Sequence, residues 1–236
     1  MFCKQCGAQI EATATACLKC AAPVTAANPA GAVTDKVKAA SKDSLQAFLK
    51  FATDPVAGLS VAYESLGAAR ALSVGISFGI VFALCVLFGA YRLIPFRPPG
   101  AEGFFKLLVC AVVPFVTLVG ACALARLVFR GKGGLGNDSF IAGAAVLPFG
   151  FVMLLSSILG AGNLEVISAL AVFALCLTIL MLFAGCTRIT MMSERLATIA
   201  VPLMLMLSAW LSKIIYAAMI NSAMRSPQYP TNPMFQ

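Results

Sequence analysis

The sequence has no histidine and few charged residues, and these absences narrow the classes of protein to which it can belong. Among 236 residues only nine are Asp or Glu, and charged residues make up 11% of the chain. Hydrophobic residues make up 61%, which is more apolar surface than one soluble core of this size can bury. The composition therefore predicts an integral membrane protein whose solvent is the lipid bilayer.

Ionisable groups are also missing from the middle of the apolar segments. These segments have no histidine, Asp or Glu at their centres, and Lys213 is the one charge placed deep within them. A proton relay, an intramembrane protease or a metal-coupled carrier needs ionisable groups that face one another near the midplane. We therefore expect the protein not to be an enzyme.

The basic residues resemble topology signals. Seventeen Lys and Arg give the chain a formal charge of +8, and they are spread along the sequence instead of forming one concentrated patch. Basic residues beside membrane spans are typical of a polytopic membrane protein. Nucleic acid is therefore not expected as a partner.

Five uncharged apolar runs predict the membrane-spanning helices. Each is close to the ~20 residues that a helix needs to cross ~30 Å of hydrocarbon. Their length, and the absence of ten-residue alternation, favours helices over barrel strands. The runs are 71–91, 107–125, 139–164, 166–187 and 196–212. We predict an all-α polytopic membrane protein with a five-helix transmembrane domain at 71–225 and a Pro-rich tail at 226–236.

Glycine and proline residues interrupt these runs. Gly75 and Gly79 stand four residues apart in the first run, a spacing that lets a neighbouring helix approach closely. Pro114, Pro148 and Pro202 lie inside the second, third and fifth runs. Each proline frees a backbone carbonyl and can bend its helix.

Four of the nine cysteines form two C-x-x-C pairs near the N-terminus, Cys3 with Cys6 and Cys17 with Cys20. Such pairs place four thiolates at the corners of a tetrahedron, which favours Zn²⁺ over rubredoxin-like iron or disulfides. Four protein ligands leave no position for water, so the metal is expected to be structural, with one Zn²⁺ per chain. Residues 1–24 are therefore predicted to form a small zinc ribbon.

The other five cysteines fall within or at the ends of the apolar runs. A cysteine in a helix interface behaves as a small hydrophobic residue, so we expect no redox or metal role for this group. Its members are Cys85, Cys110, Cys122, Cys176 and Cys186.

A flexible linker and amphipathic cytosolic helices are predicted between the zinc ribbon and the spans. Residues 25–35 are rich in Ala, Pro, Asn and Gly, as flexible linkers are. Within 36–70, the apolar residues of 36–53 recur at spacings near three and four, with most lysines elsewhere around the turn. That helix should end before Pro55. Two positions are open for it: the inner leaflet against anionic headgroups, or the cytosolic face of the bundle.

The sequence predicts a cytosolic N-terminus and an extracytoplasmic C-terminus. No apolar run follows Met1, so no cleavable signal peptide is expected, and metal-binding thiolates need a reducing compartment. Five spans then place the C-terminus on the opposite side. Most basic residues beside the spans agree, and the loop between the first two spans is the exception to the positive-inside pattern.

Two parts of the chain resemble known families. The FCKQCG…CLKC head is similar to the short zinc-ribbon domain found on many bacterial membrane proteins. The five-span remainder resembles the Yip-type family of small membrane proteins, above all at residues 54–59, in the Gly-rich loop before Ser139 and Phe140, and at Pro148 and Phe149. The resemblance implies a protein of the bacterial inner membrane. Eukaryotic relatives are associated with membrane trafficking and small GTPases, whereas bacterial members mostly lack an assigned activity.

Two functions agree with these features. The first is a non-enzymatic membrane scaffold or adaptor, whose zinc ribbon contacts an unidentified protein partner at the cytosolic face. The alternative is a small-solute or ion transporter or channel, which the intraspan prolines, the paired glycines and Lys213 favour. A carrier needs a hydrated, polar cavity at mid-depth, whereas an anchor should have a packed or lipid-filled centre. Self-association into a homo-oligomer is left open.

Overall fold

The computed structural model of the protein describes residues 20, 41–50, 52–93, 100–159 and 163–225. The chain divides into two compact units, Met1–Ser41 and Lys42–Gln236. In the first unit only Cys20 and Ser41 are described, so the predicted linker and nearly all of the predicted zinc ribbon lie outside the described residues. The predicted tail at 226–236 lies outside them as well.

The described residues are almost entirely helical and include no β-strand. Helix α1 includes residues 41–50, with 52 and 53. The helices that follow are α2 (Ala57–Leu66), α3 (Ala68–Leu93), α4 (Gly100–Val128), α5 (Leu135–Leu159), α6 (Leu164–Ala184) and α7 (Glu194–Arg225). A π-helical turn, Gly185–Ile189, extends α6.

Among the residues that the structure describes, five helices are long and apolar enough to cross a membrane, as many as the sequence predicted. They lie at Ala68–Arg92, Gly103–Val128, Leu135–Leu159, Leu164–Ile189 and Glu194–Met219. Each helix begins two to four residues before the uncharged run that predicted it, and all but the third also end beyond their run, because polar residues at a helix end can still reach the membrane interface. The third helix ends at Leu159, five residues before the end of its predicted run, and the next helix begins at Leu164. The all-α, multi-pass class is confirmed for the described residues.

Helix α5 is the centre of the bundle. In its most apolar stretch 56% of the residues are buried, compared with 22% in α6. It packs most extensively on α3 and also contacts α4 and α6, while α7 packs mainly on α4. Helices α3 and α5 run parallel, since Gly75 lies against Ser139 and Gly89 lies against Met153 further along both helices.

Glycine lets α3 and α5 approach until their backbones touch. A Cβ atom on Gly75 would lie 2.5 Å from the carbonyl carbon of Ser139, and one on Gly143 would lie 2.5 Å from the carbonyl oxygen of Gly75. Gly79 instead faces the ring of Phe115 in α4. Positions four apart are offset by about 40° around a helix, enough to reach a second neighbour where three helices meet. The two glycines therefore serve different interfaces.

The carbonyl that Pro114 frees is bound by another helix. In an unbroken α-helix the N–H at position 114 would donate to the Cys110 carbonyl, and proline has no such hydrogen. The Tyr216 hydroxyl in α7 donates to that carbonyl at 2.9 Å. The proline thus creates a point of attachment between α4 and α7, while α4 continues as one helix.

Helix α1 packs on the side of the bundle. The rings of Phe48 and Phe151 lie 5.6 Å apart, and Phe151 is sixteen residues beyond Leu135, about 24 Å along α5. Phe48 and Pro55 also line a cavity of about 240 Å³ with residues of α5 and α6. Helix α1 therefore packs on the flank of the spanning helices, beside α5 and α6.

Candidate functional site

The structure describes one of the four predicted zinc ligands. Cys20 is an exposed residue in a turn, whereas Cys3, Cys6 and Cys17 lie outside the described residues. In the part of the chain that is described, no group of three His, Cys, Asp or Glu side chains comes together as a metal site. The zinc ribbon remains a prediction.

A buried ion pair closes the end of the bundle where α4 ends and α5 begins, here called the Arg126 end. The Arg126 Nε donates to both carboxylate oxygens of Asp138, at 3.0 and 3.2 Å. The two side chains are 15% and 1% exposed, respectively. A carboxylate so deeply buried needs a paired cation, because an isolated charge is costly away from water. Arg126 therefore supplies the charge that Asp138 requires.

The same arginine holds the glycine-rich loop between α4 and α5. Its Nη1 donates to the carbonyl of Gly133 at 3.1 Å. Gly133 has a φ of +105°, a conformation that favours glycine, and a Cβ there would collide with the Asn137 amide. The Lys132 N–H donates to the carbonyl of Thr190, in the segment before α7, at 2.7 Å. The loop is thus tied both to its own helices and to the next connection.

A second polar contact at the Arg126 end joins α2 to α5. The Tyr63 hydroxyl donates to Asn137 Oδ1 at 2.8 Å, and Asn137 is 6% exposed. The Tyr63 ring also packs on Phe140, with 5.8 Å between ring centroids. Helix α2 is therefore part of the packed unit, not a detached surface helix.

Sequence reasoning missed these residues. Arg126 directly follows the second uncharged run, and Asp138 directly precedes the third. An acid and a base on either side of a short loop between consecutive spans are brought together when those helices pack as neighbours. That pattern predicts the ion pair between Arg126 and Asp138. No comparable signal pointed to Tyr63 and Asn137, which are far apart in the chain.

A cleft of about 700 Å³ lies between α4, α5, α6 and α7. Helices α6 and α7 make few contacts with each other, so the cleft follows the gap between them. Its lining is mostly apolar, with residues such as Leu118, Phe149, Leu175 and Leu205. The polar residues that line it are Thr178, Ser208, Ser212, Lys213 and Tyr216.

The hydroxyl groups beside the cleft bond within the protein. Thr117 in α4 shares hydrogen bonds with Ser208 at 2.9 Å and Ser212 at 3.1 Å, both in α7. Thr178 in α6 donates to the Ala145 carbonyl in α5 at 2.7 Å. These bonds fasten α4 to α7 and α6 to α5, as polar side chains commonly do between membrane helices.

Lys213 lies far from the start of its helix. It is nineteen residues beyond Glu194, about 28 Å along the axis, which is close to the ~30 Å thickness of the hydrocarbon core. With Glu194 at one boundary of the hydrocarbon, Lys213 lies near the other. The lysine is exposed, so its ammonium group can reach the headgroups. It is therefore placed as an interfacial residue of the cleft.

Comparison with known proteins finds no matching family model, and no curated protein or solved structure that is significantly similar. The resemblance to zinc-ribbon and Yip-type proteins therefore rests on the residues of this sequence alone and remains a prediction.

Proposed function

We propose that the protein is a non-enzymatic membrane scaffold or adaptor, whose helical bundle anchors an N-terminal zinc ribbon for contact with a protein partner in the cytosol. The observation that supports this most directly is how the polar side chains along the cleft are used. Ser208 and Ser212 each bond to Thr117, and Thr178 and Tyr216 donate to backbone carbonyls. These groups hold helices together instead of pointing at a solute.

A transporter or channel for small solutes or ions is the second candidate. Lys213 favours it, because this charged residue lines a cleft of about 700 Å³. A path for a hydrophilic solute needs polar groups directed into it, however, and the described lining is mainly apolar. The backbone contact of Gly75 with Gly143 also gives the bundle a tightly packed centre. These features support the anchor over the carrier.

We expect one zinc ion per chain, held by Cys3, Cys6, Cys17 and Cys20 through thiolate coordination. Elemental analysis of the purified protein should find one zinc per chain, and replacing all four residues by Ser should remove it. Cys176→Ser is the matched control, because Cys176 is exposed on a spanning helix, and it should leave the zinc content unchanged. Zinc that persists in the fourfold variant would place the metal elsewhere.

We expect the N-terminus in the cytosol and the C-terminus outside, in the inner membrane of a bacterium. The physical reason is that reduced thiolates need the cytosol and that five spans are odd in number. Alkaline phosphatase fused at the C-terminus should be active, and the same fusion at the N-terminus should be inactive. Activity at the N-terminus alone would invert the proposed topology.

Deletion of residues 1–34 should leave the bundle intact and abolish binding of the protein partner. Residues 21–35 contain Pro23, Pro29 and Gly31 among small residues, so they should form a tether with a root-mean-square span on the order of 20 Å. The packing contacts of the bundle lie within the second unit. We expect the melting temperature in detergent to change by no more than about 2 °C.

The partner for this experiment is whatever protein copurifies with the full chain from native membranes. The fourfold Cys→Ser variant serves as the comparison, since it keeps the tether and should lose the partner through loss of the folded head. A truncated chain that fails to insert, or that keeps the partner, would contradict the proposed role of the zinc ribbon.

A further inference from the structure

The cleft between α6 and α7 has the features of a lipid site. We infer that it binds an acyl chain of one phospholipid with an anionic headgroup, and that Lys213 contacts the phosphate of that headgroup. The site belongs to the bundle and does not depend on the zinc ribbon or on the proposed scaffold function.

The dimensions of the cleft match one leaflet. Its lining follows α7 from Leu205 to Ala217, twelve residues or about 18 Å. One leaflet contributes about 15 Å of the ~30 Å hydrocarbon core. The cleft volume of about 700 Å³ lies within the ~300–1,000 Å³ typical of ligand pockets. An extended hydrocarbon chain therefore has a wall of protein along most of its length.

The cleft is also at the depth of one leaflet. Leu205 is eleven residues beyond Glu194, about 16 Å along α7, and Ala145 is ten residues beyond Leu135, about 15 Å along α5. Both helices begin at the same end of the bundle, so these residues mark the bilayer midplane. Lys213 lies at the other end of the cleft, near the far boundary. The cleft thus runs from the midplane to the headgroups.

The chemistry of the walls selects hydrocarbon over water. The Ser208 and Ser212 hydroxyls bond to Thr117, and the Thr178 hydroxyl bonds to the Ala145 carbonyl, so little hydrogen-bonding capacity is turned toward the space. Ordered water needs two to four polar partners, and apart from Lys213 on the rim the polar side chains of the lining already bond within the protein. Between two helices that barely touch, an acyl chain from the surrounding bilayer is the occupant that restores packing contacts.

The positive charge of Lys213 at the end of the cleft favours an anionic headgroup. Lys213 is the one charged residue among the described residues that line the cleft. An ammonium group offers three donors and binds phosphate as a point charge. A phospholipid with net negative charge is attracted to it, whereas a zwitterionic headgroup presents its own cation to the same lysine. The site is therefore expected to prefer anionic over zwitterionic phospholipids with the same acyl chains.

Native mass spectrometry of the full-length protein with added phosphatidylglycerol or phosphatidylcholine measures how strongly the protein prefers the anionic headgroup. Lys213→Gln should reduce the preference for phosphatidylglycerol about fivefold, the effect of one lysine near a membrane surface. Lys106→Gln is the control, because Lys106 lies on α4 about 33 Å from the end of that helix, at a similar depth but outside the cleft. If Lys213→Gln and Lys106→Gln reduced the preference for phosphatidylglycerol equally, Lys213 would not be the residue that contacts the headgroup.

A second pair of variants tests whether the acyl chain occupies the cleft. Ala209 lines the cleft, and Ala209→Phe should lower the binding of both lipids about tenfold by filling the space. Ala218→Phe, at an exposed position on the same helix outside the cleft lining, should change neither. If Ala209→Phe bound both lipids as tightly as the wild-type protein, the proposed site would be wrong. The site would also be wrong if the wild-type protein were a dimer and Ala209→Phe were a monomer with the same amount of bound lipid. In that case the cleft would hold a second copy of the chain.

Photocrosslinking of the unmodified protein tests the site without any variant that could fail to fold. Phosphatidylglycerol that carries a diazirine in its acyl chain should crosslink on illumination to peptides that include Leu175, Leu205 or Ala209. Crosslinks spread evenly over exposed residues of all spans, such as Leu84 and Val116, would show ordinary bilayer contact and overturn the proposal.

Discussion

Replacing Asp138 by Asn should destabilise the bundle by about 3 kcal/mol, the lower end of the cost of breaking a buried ion pair. The change removes the charge that neutralises Arg126, a side chain that is only 15% exposed. The lower end is expected because Arg126 keeps its hydrogen bond to Gly133 and some access to solvent. Unfolding of the purified protein in mixed micelles, followed by its helical circular dichroism, gives the free energy.

The control is Asp43→Asn, which breaks the surface ion pair between Asp43 and Arg70. Asp43 and Arg70 lie 3.3 Å apart, and the Arg70 side chain is 65% exposed, so the cost should stay below about 1 kcal/mol. A double variant, Arg126→Met with Asp138→Leu, should recover much of the stability, because no unpaired charge then remains. Equal losses in Asp138→Asn and Asp43→Asn would contradict the buried pair.

Gly143→Ala should also be strongly destabilising, by about 1–3 kcal/mol or more. The added Cβ would lie 2.5 Å from the carbonyl oxygen of Gly75, a backbone atom that cannot rotate away as a side chain does. Helices α3 and α5 would have to separate, and this is the most extensive helix contact in the bundle. The same unfolding measurement applies, and Gly75→Ala should behave alike.

Gly120→Ala is the matched control for the glycine contact. Nothing lies within 4 Å of a Cβ at Gly120, which is also inside a spanning helix. Alanine favours a helix over glycine by about 1 kcal/mol in water, so stability should be unchanged or slightly higher. If Gly143→Ala and Gly120→Ala had the same effect, the close approach of α3 and α5 would not be a stabilising contact.

The membrane class and the number of spans followed from the sequence because they depend on local properties. A run of apolar residues long enough to cross the hydrocarbon must be helical, since its backbone has no other hydrogen-bonding partners. Helix α6, for example, is predicted by its uncharged run alone and extends only a few residues beyond it. The free carbonyl of Cys110 could also be predicted, because a proline such as Pro114 frees the carbonyl four residues earlier in any helix.

The partners of these helices could not be read in the same way. Thr117 bonds to Ser208 across 91 residues of sequence, and Tyr63 bonds to Asn137 across 74. In nearly uniform apolar segments, hydrophobic periodicity does not show which face of a helix meets protein and which meets lipid, because both surroundings are apolar. Helix rotation and neighbour order are therefore decided by packing of the whole bundle.

The sequence by itself thus determined that the described residues form a multi-pass helical bundle with five spans, because length and hydropathy are properties of each segment alone. It also predicts the zinc ribbon, through the spacing of Cys3, Cys6, Cys17 and Cys20. Only the tertiary structure decided that α1 lies on the flank of the bundle and that Arg126 neutralises Asp138. It likewise decided that Gly75 and Gly79 face different helices, because such contacts arise only when several helices pack together.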